Sequence, residues 1–194
     1  MQDTRTQILN KNFEAMRKHG FQGLRTDKVI AGLGITKGAF YHYFPTKMDV
    51  GYAIVNEIIA PQYISDWANL VREDLPVIDA IIEALNRIKG YSNPENIHLG
   101  CPLNNLIQEM APLDEGFRDA LLNIVDTETQ LIARALAHAQ QQKQVRNNFN
   151  PEHIAVYIIS SLEGCYSIAK LFQSYELFCN SFDELVGYVN RLRE

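Results

Sequence analysis

Thr26-Asp-Lys-Val-Ile-Ala-Gly-Leu-Gly-Ile-Thr-Lys-Gly-Ala-Phe-Tyr-His-Tyr-Phe-Pro-Thr-Lys47 is the stretch that decides the fold. It reads as two short helices joined by a tight glycine turn. Thr26 has the chemistry of an N-cap, a hydroxyl that accepts from first-turn backbone N–H groups. Val29, Ile30 and Leu33 then recur at helical spacing. Gly34 stops that helix where a left-handed residue costs least. Ile35 plugs the angle between the helices, and Thr36 is placed to cap the second. This is the layout of a helix-turn-helix, whose second helix enters the major groove of DNA.

The second helix starts with Lys37, Gly38 and Ala39, so side chains cover little of its first turn. Bare N–H groups at a helix N-terminus are partners for phosphate, and small side chains allow deep entry into a groove. Phe40 and Phe44, four apart, fall on one face and are expected to pack inward. Tyr41, His42 and Tyr43 cannot all face that core, because neighbouring helical positions point in different directions. Pro45 ends the helix, and Thr46 with Asp49 three residues on makes a near capping box.

Charge is divided unevenly. Residues 1–50 hold eight Lys/Arg against four Asp/Glu, a net of about +4, so with −5 overall the remaining 144 residues carry about −9. A basic start on an acidic chain suits a module that meets polyanion at one end. Aromatic-rich helices and helix-turn-helix look-alikes also occur in ordinary helical domains, and this charge division argues against that reading. At 194 residues the chain is long enough to bury a sizeable core. No apolar run is expected to reach the ~20 residues that cross a bilayer, and Met-Gln-Asp-Thr-Arg-Thr has no signal-peptide character. Cys101, Cys165 and Cys179 share no metal or CxxC spacing. The expectation is a cytoplasmic protein with reduced thiols, no metal, no cofactor and no membrane.

After residue 50 the pattern stays helical. Expected helices run from Lys47 to about Ala60, interrupted or ended by Pro61; to about Val71; from Asp74-Leu75-Pro76 to Gly90; from Pro102 to Met110; from about Asp114 to Gln142; and from Asn150-Pro151 onward. Ser181-Phe-Asp-Glu184 reads as a capping box for the last helix, with Cys179 in the linker before it. The expected class is all-α, with residues 1–48 as a three-helix DNA-binding domain. Residues 49–194 are expected to form a helical effector-binding and dimerisation domain.

The run Gly-Ile-Thr-Lys-Gly-Ala-Phe-Tyr-His-Tyr-Phe-Pro-Thr-Lys resembles the signature of TetR-family transcriptional repressors, and the resemblance extends back to about Thr4. It departs at Ile30, where the family usually has a small Ala, a change that alters the crossing of the two helices. Carried over residue by residue, the resemblance implies base or groove contacts at Lys37, Gly38 and His42. It implies phosphate contacts at Thr26, Tyr41 and Lys47, and Tyr43 suits either purpose. It further implies a homodimer on a palindromic operator in double-stranded DNA, released by a small-molecule inducer.

The dimer surface is expected in the last two helices, which the resemblance joins as a four-helix bundle. Apolar positions Ile158, Leu162, Cys165, Ile168 and Phe172 lie among small residues that include Gly164, and Phe182, Leu185 and Val189 follow. A glycine inside a helix costs ~1 kcal/mol against alanine, and close helix packing is the usual reason to keep one. Both helices could instead complete a monomeric core.

Pocket candidates are the polar or aromatic residues scattered among apolar helices: Trp67, Tyr91, His98 and Cys101, then Asn105, Met110, Tyr157 and Tyr166. Gly100-Cys101-Pro102 puts a thiol at a helix N-terminus, where the dipole favours thiolate. Some TetR-like repressors with a similar Gly-Cys entry sense oxidants or electrophiles, so a repressor gated by Cys101 is the alternative to a ligand-gated one. A small helical enzyme with a vestigial DNA head is a further alternative. The acidic part offers it no HExxH, no Glu-x-x-His metal motif and no nucleophile with a convincing base.

Overall fold

Local capping chemistry sets most helix boundaries. In the computed structural model, which describes residues 3–193, the elements are α1 (Thr4–His19), α2 (Thr26–Leu33), α3 (Lys37–Tyr43) and α4 (Lys47–Ile54). A π-helical turn (Val55–Ile59) leads into α5 (Ala60–Trp67), and α6 (Val77–Lys89) follows. After a 3-10 turn (Ile97–Leu99) come α7 (Pro102–Met110), α8 (Glu115–Gln141), α9 (Pro151–Phe172) and α10 (Tyr175–Asn190). Among the described residues the only extended pairing is an isolated bridge between Val145 and Arg193. The fold is all-α.

The chain forms two units, one of residues up to Pro61 with Pro102–Leu122, the other of Gln62–Cys101 with the chain from Asn123 onward. In the first unit, α1 buries Ile8, Leu9 and Met16, and the Asn12 side-chain amide donates to the Ile8 carbonyl at 2.8 Å. Gly34 adopts φ +67° and its N–H returns to the Ala31 carbonyl, the αL turn its sequence position requires. Thr36 accepts from the Ala39 N–H, and Thr46 with Asp49 forms the reciprocal capping box. Ile30, at the family's usual alanine position, is buried.

Phe21, Tyr52 and Phe117 cluster around Gly51. The Phe21–Phe117 and Tyr52–Phe117 ring centroids are each 4.9 Å apart. A Cβ on Gly51 would lie 2.5 Å from ring atoms of both Phe21 and Phe117. No side chain fits there without moving a ring.

The second unit packs α6 against α10, and α10 against α9. Gln144 caps α6 from a distance, its amide oxygen accepting the Val77 N–H at 3.1 Å. Asn150 accepts from the N–H groups of Glu152 and His153, as its position before Pro151 leads one to expect. Tyr166, Phe178 and Phe182 form a ring-on-ring core, and the Arg193 guanidinium clasps Asp79 of α6 with two bonds.

Three expectations are corrected, and one open alternative is decided. Arg25, not Thr26, is the N-cap residue of α2, and Thr26 is already helical; Arg25 pairs with Asp27 and leaves the cap without a side-chain acceptor. Of the two readings of Pro61, interruption holds: the α-helix gives way to a π turn just before it and then resumes. Proline lacks an N–H and presses on the carbonyl four residues back, and the wider π turn directly before it accommodates that conflict. The last helix starts at Tyr175, with Ser174 accepting from the Leu177 N–H, so Ser181, Glu184 and Cys179 lie inside it. Finally, α9, a helix of 22 residues with an 18-residue window of mean hydropathy 1.3, is long and apolar enough by length and composition to cross a membrane. Its apolar content serves a buried face of Ala155, Ile158, Ile159, Leu162, Cys165, Tyr166 and Ala169.

Replacing Gly51 by alanine forces a methyl between two rings and is expected to lower stability by about 1–3 kcal/mol. Urea unfolding measures it; an unchanged midpoint would contradict the packing described.

Candidate nucleic-acid interface and interior acid cluster

At seven residues, α3 is too short to be stable alone. Phe40 and Phe44, with 0% and 2% exposure, anchor it from beneath. With those rings inward, the neighbouring positions turn outward: Lys37, Gly38 and His42 are exposed, and Tyr41 and Tyr43 keep 46% and 40% of their surface. Tyr41 packs edge-on against Phe40, and His42 against Tyr43. A Cβ at Gly38 would meet only the Thr36 hydroxyl, at 3.8 Å. The fold itself therefore makes no demand for glycine there.

Lys47 and Thr26 are both half-buried. The Lys47 ammonium donates to the Gln22 carbonyl at 3.0 Å and lies over the Phe21 ring at 5.1 Å. Burial lowers its pKa, and the negative charge of Glu109 opposes that shift. Glu109 of α7 is the residue that sequence reasoning missed here. Its carboxylate accepts the N–H groups of Phe21 and Gln22 at 2.8 and 2.7 Å, fixing the turn that holds Lys47. A contact across 87 or 88 positions leaves no local pattern to find.

The pocket candidates separate. In the second unit, Trp67, Cys101 and Tyr166 are buried and make side-chain hydrogen bonds in separate sets with Glu128, Glu163, Tyr63 and Ser92, while Tyr91, 46% exposed, bonds buried Asp66. The Trp67 indole N–H donates to Glu128 Oε1 at 3.1 Å, and Cys101 Sγ donates to Glu163 Oε1 at 3.2 Å. Tyr63 Oη lies 3.1 Å from Cys101 Sγ. The Tyr91 hydroxyl and the Arg87 Nε–H both donate to Asp66 Oδ1, and Ser92 donates to the Tyr166 hydroxyl. His98 is exposed, and Tyr157 is an exposed residue of α9 stacked on Tyr188. Neither belongs to these sets. Asn105 is half-buried and Met110 buried in α7, within the first unit.

Cys101 sits directly before α7, as expected from its sequence position, and is buried. Its thiol is 3% exposed and bonded to a carboxyl and a phenol. A thiolate is favoured by cationic neighbours, and an acid at 3.2 Å opposes one. The two acids are themselves perturbed. Burial, then the charge of Glu163, raises Glu128 to about 8. Burial raises Glu163 to about 7 against the Cys101 hydrogen bond. Desolvation favours the neutral form in both.

The expected dimer residues divide in the same way. Ile158, Leu162, Cys165, Phe182, Leu185 and Val189 are buried inside the chain's own core, because α9 and α10 direct these positions at each other and at α6. Gly164, Ile168 and Phe172 are exposed. They share the outer surface of α9 with Val156, Tyr157, Ser160, Ser167 and Leu171.

Raised carboxyl pKa values give a definite sign. The neutral acids are favoured in the folded chain, so their full contribution is present below the unfolded value of about 4.5 and is lost as pH rises through the folded values near 7 and 8. Stability is expected to fall between about pH 5 and pH 8 by a few kcal/mol, and Glu128→Gln to flatten that slope. Denaturant midpoints across pH measure it; a wild-type slope in the variant would contradict the assignment.

Comparison with known proteins meets this geometry from outside. Residues 8–50 match the model for bacterial regulatory proteins of the tetR family, and residues 77–180 match the tetracyclin repressor-like C-terminal domain. The transcriptional regulator AcuR of Cereibacter sphaeroides is 26% identical over 171 residues, 84% of this chain and 75% of AcuR. The transcriptional repressor DhaR of a Mycobacterium species is 23% identical over 89% of this chain and 85% of its own. The reduced form of Escherichia coli NemR superposes with a TM-score of 0.81 at 23% identity, over 95% of each chain. A TetR regulator from Chloroflexus aurantiacus reaches 0.85 at 19% identity, over 98% of this chain and 96% of its own. The chain belongs to the TetR family of DNA-binding transcriptional regulators.

Proposed function

We propose that the chain is a homodimeric repressor that binds a palindromic operator through α3 and is released from it by a small-molecule effector taken up by the helical part of the chain. The observation that carries the DNA assignment is the outward face of α3. Two buried phenylalanines hold the helix, while Lys37, Gly38 and His42 remain exposed at and beyond its bare N-terminus. In this reading those three approach base edges, Thr26, Tyr41 and Lys47 hold phosphates, and Tyr43 joins either set. The reading makes the chain a non-enzyme that works in the cytoplasm, in line with relatives named as transcriptional regulators.

The outer stripe of α9 supports the dimer. His153, Tyr157, Ser160, Gly164, Ser167 and Leu171 follow one another at alternating steps of four and three, and all are exposed. Leu171 and Phe172 keep 74% and 66% of their surface. An exposed stripe with small residues at its centre and large apolar ones, Tyr157, Leu171 and neighbouring Phe172, toward its ends suits close approach of a second copy about a two-fold axis. A Cβ at Gly164 would meet nothing within 4 Å, so nothing within the chain requires a glycine there. The Cys101-gated alternative is weakened by the buried, acid-bonded thiol.

The thermodynamics of release are constrained. The effector must favour the conformation that binds DNA poorly, since equal affinity for both conformations shifts nothing. The chain passes between its two units at residues 61–62, 101–102 and 122–123, so a change around Cys101 reaches α7 through the backbone.

Two substitutions test this reading without disturbing the core. Gly38→Ala is expected to leave stability equal or raise it by up to about 1 kcal/mol, while weakening operator binding by tenfold or more. Undiminished binding in a fluorescence titration would contradict the placement of α3 in a groove. Gly164→Arg is expected to give a folded monomer in sedimentation velocity; a dimer of wild-type mass would remove α9 from the interface.

A further inference from the structure

The interior of the second unit holds two acids, each of which accepts a hydrogen bond from a neutral donor. Glu128 Oε1 receives an indole N–H and Glu163 Oε1 a thiol, while Glu163 Oε2 is buried with no hydrogen-bond partner. The residue as a whole keeps some exposure, but that oxygen is sealed from solvent. A buried carboxyl oxygen without a donor is costly unless the group is neutral or meets a positive charge. The guanidinium of this region, Arg87, is held by Asp66, which also takes the Tyr91 hydroxyl. The other titratable groups around Glu163 are Tyr63, Cys101, Cys165 and Tyr166. Burial pushes Tyr63, Cys165 and Tyr166 further toward their neutral forms.

We propose that this cluster recognises a small organic cation, an ammonium group that donates N–H to Glu163 Oε2, with Glu128 as the second acid. The proposal rests on the reading of the chain as an effector-responsive regulator and names the chemistry of that effector. An ammonium supplies both things the cluster lacks, a donor for the orphaned oxygen and a positive charge against two acids. A carboxylate ligand would supply neither and would meet like charge. A metal ion is the other cation to consider. Among the described residues no three His, Cys, Asp or Glu side chains are grouped to hold one. Tyr63, Trp67 and Tyr166 give the site an aromatic character that suits an organic cation over a hydrated ion.

The proton balance is explicit. The neutral Glu163 acid gives its proton to solvent, the ammonium keeps its own, and an ion pair replaces the acid. Binding therefore releases up to one proton and strengthens with pH until the carboxyl is ionised.

Isothermal titration of the full chain with three matched probes, benzylamine, benzyl alcohol and benzoate, tests this. Benzylamine is expected to bind more tightly than the other two. Its affinity is expected to rise about tenfold from near pH 6 to near pH 8, with benzyl alcohol unchanged. Titrations in buffers of different ionisation enthalpy are expected to report proton release in the wild type, which needs no variant. Glu163→Gln is expected to abolish both the amine preference and the pH dependence. Benzylamine binding no tighter than benzyl alcohol, binding without proton release, or an unaltered preference in Glu163→Gln would overturn the assignment. Operator selection from random DNA separates the two layers. A chain that selects a site but shows no amine preference sinks this inference alone, whereas a chain that selects no site sinks the regulator reading.

Discussion

A seven-residue helix does not hold itself, and the presentation of α3 depends on the burial of Phe40 and Phe44. Nucleation is unfavourable for so short a segment, so its order comes from tertiary packing. Two aromatic side chains on one face, each able to bury on the order of 150–250 Å², give that packing a direction. Once they point inward, helical geometry turns Lys37, Gly38, Tyr41, His42 and Tyr43 outward. The caps then fix the ends: Thr36 accepts from Ala39, and the Thr46–Asp49 box starts the next helix immediately after Pro45. The exposed face of α3 is in this sense a consequence of its buried face.

The first unit also shows how remote residues complete a local motif. The turn after α1 is held by Glu109, which accepts two backbone N–H groups, and its Gln22 carbonyl in turn holds the Lys47 ammonium. The motif proposed to touch DNA is therefore braced by a carboxylate from α7. That helix begins one residue after Cys101, whose thiol is bonded to the buried acid Glu163. From Cys101 the backbone runs to the brace, Glu109, along eight residues of helix.

Features set by neighbours in sequence were legible before the structure. Gly34, Thr36, Pro45 and the Thr46–Asp49 pair each act within four residues, so the helix-turn-helix could be read directly. Asn150-Pro151 and Pro102 behaved as helix starts for the same reason. Where two local signals competed, the reading failed: Ser174 and Ser181 both offer a cap, and the earlier one begins α10. Whether Pro61 interrupts or ends its helix stayed open in the sequence, because a π turn leaves no composition signal. Apolar periodicity in α9 could not separate its two faces, both of which carry large side chains. Only packing against α10 identifies Ile158, Leu162 and Cys165 as core and leaves Val156, Ile168 and Leu171 outside. Cys101 is the sharpest instance. Its helix-end position suggested a thiolate, but the acid that bonds it lies 62 positions away.

The central claim is that this chain reads DNA sequence as a symmetric pair of α3 helices. Sequencing the fragments that the purified protein selects from a random double-stranded pool tests it most directly. The account predicts one enriched inverted repeat, with half-site centres separated by a whole number of turns of roughly 10 base pairs. Recovery of fragments with no shared motif, or of a single unrepeated half-site, would contradict it.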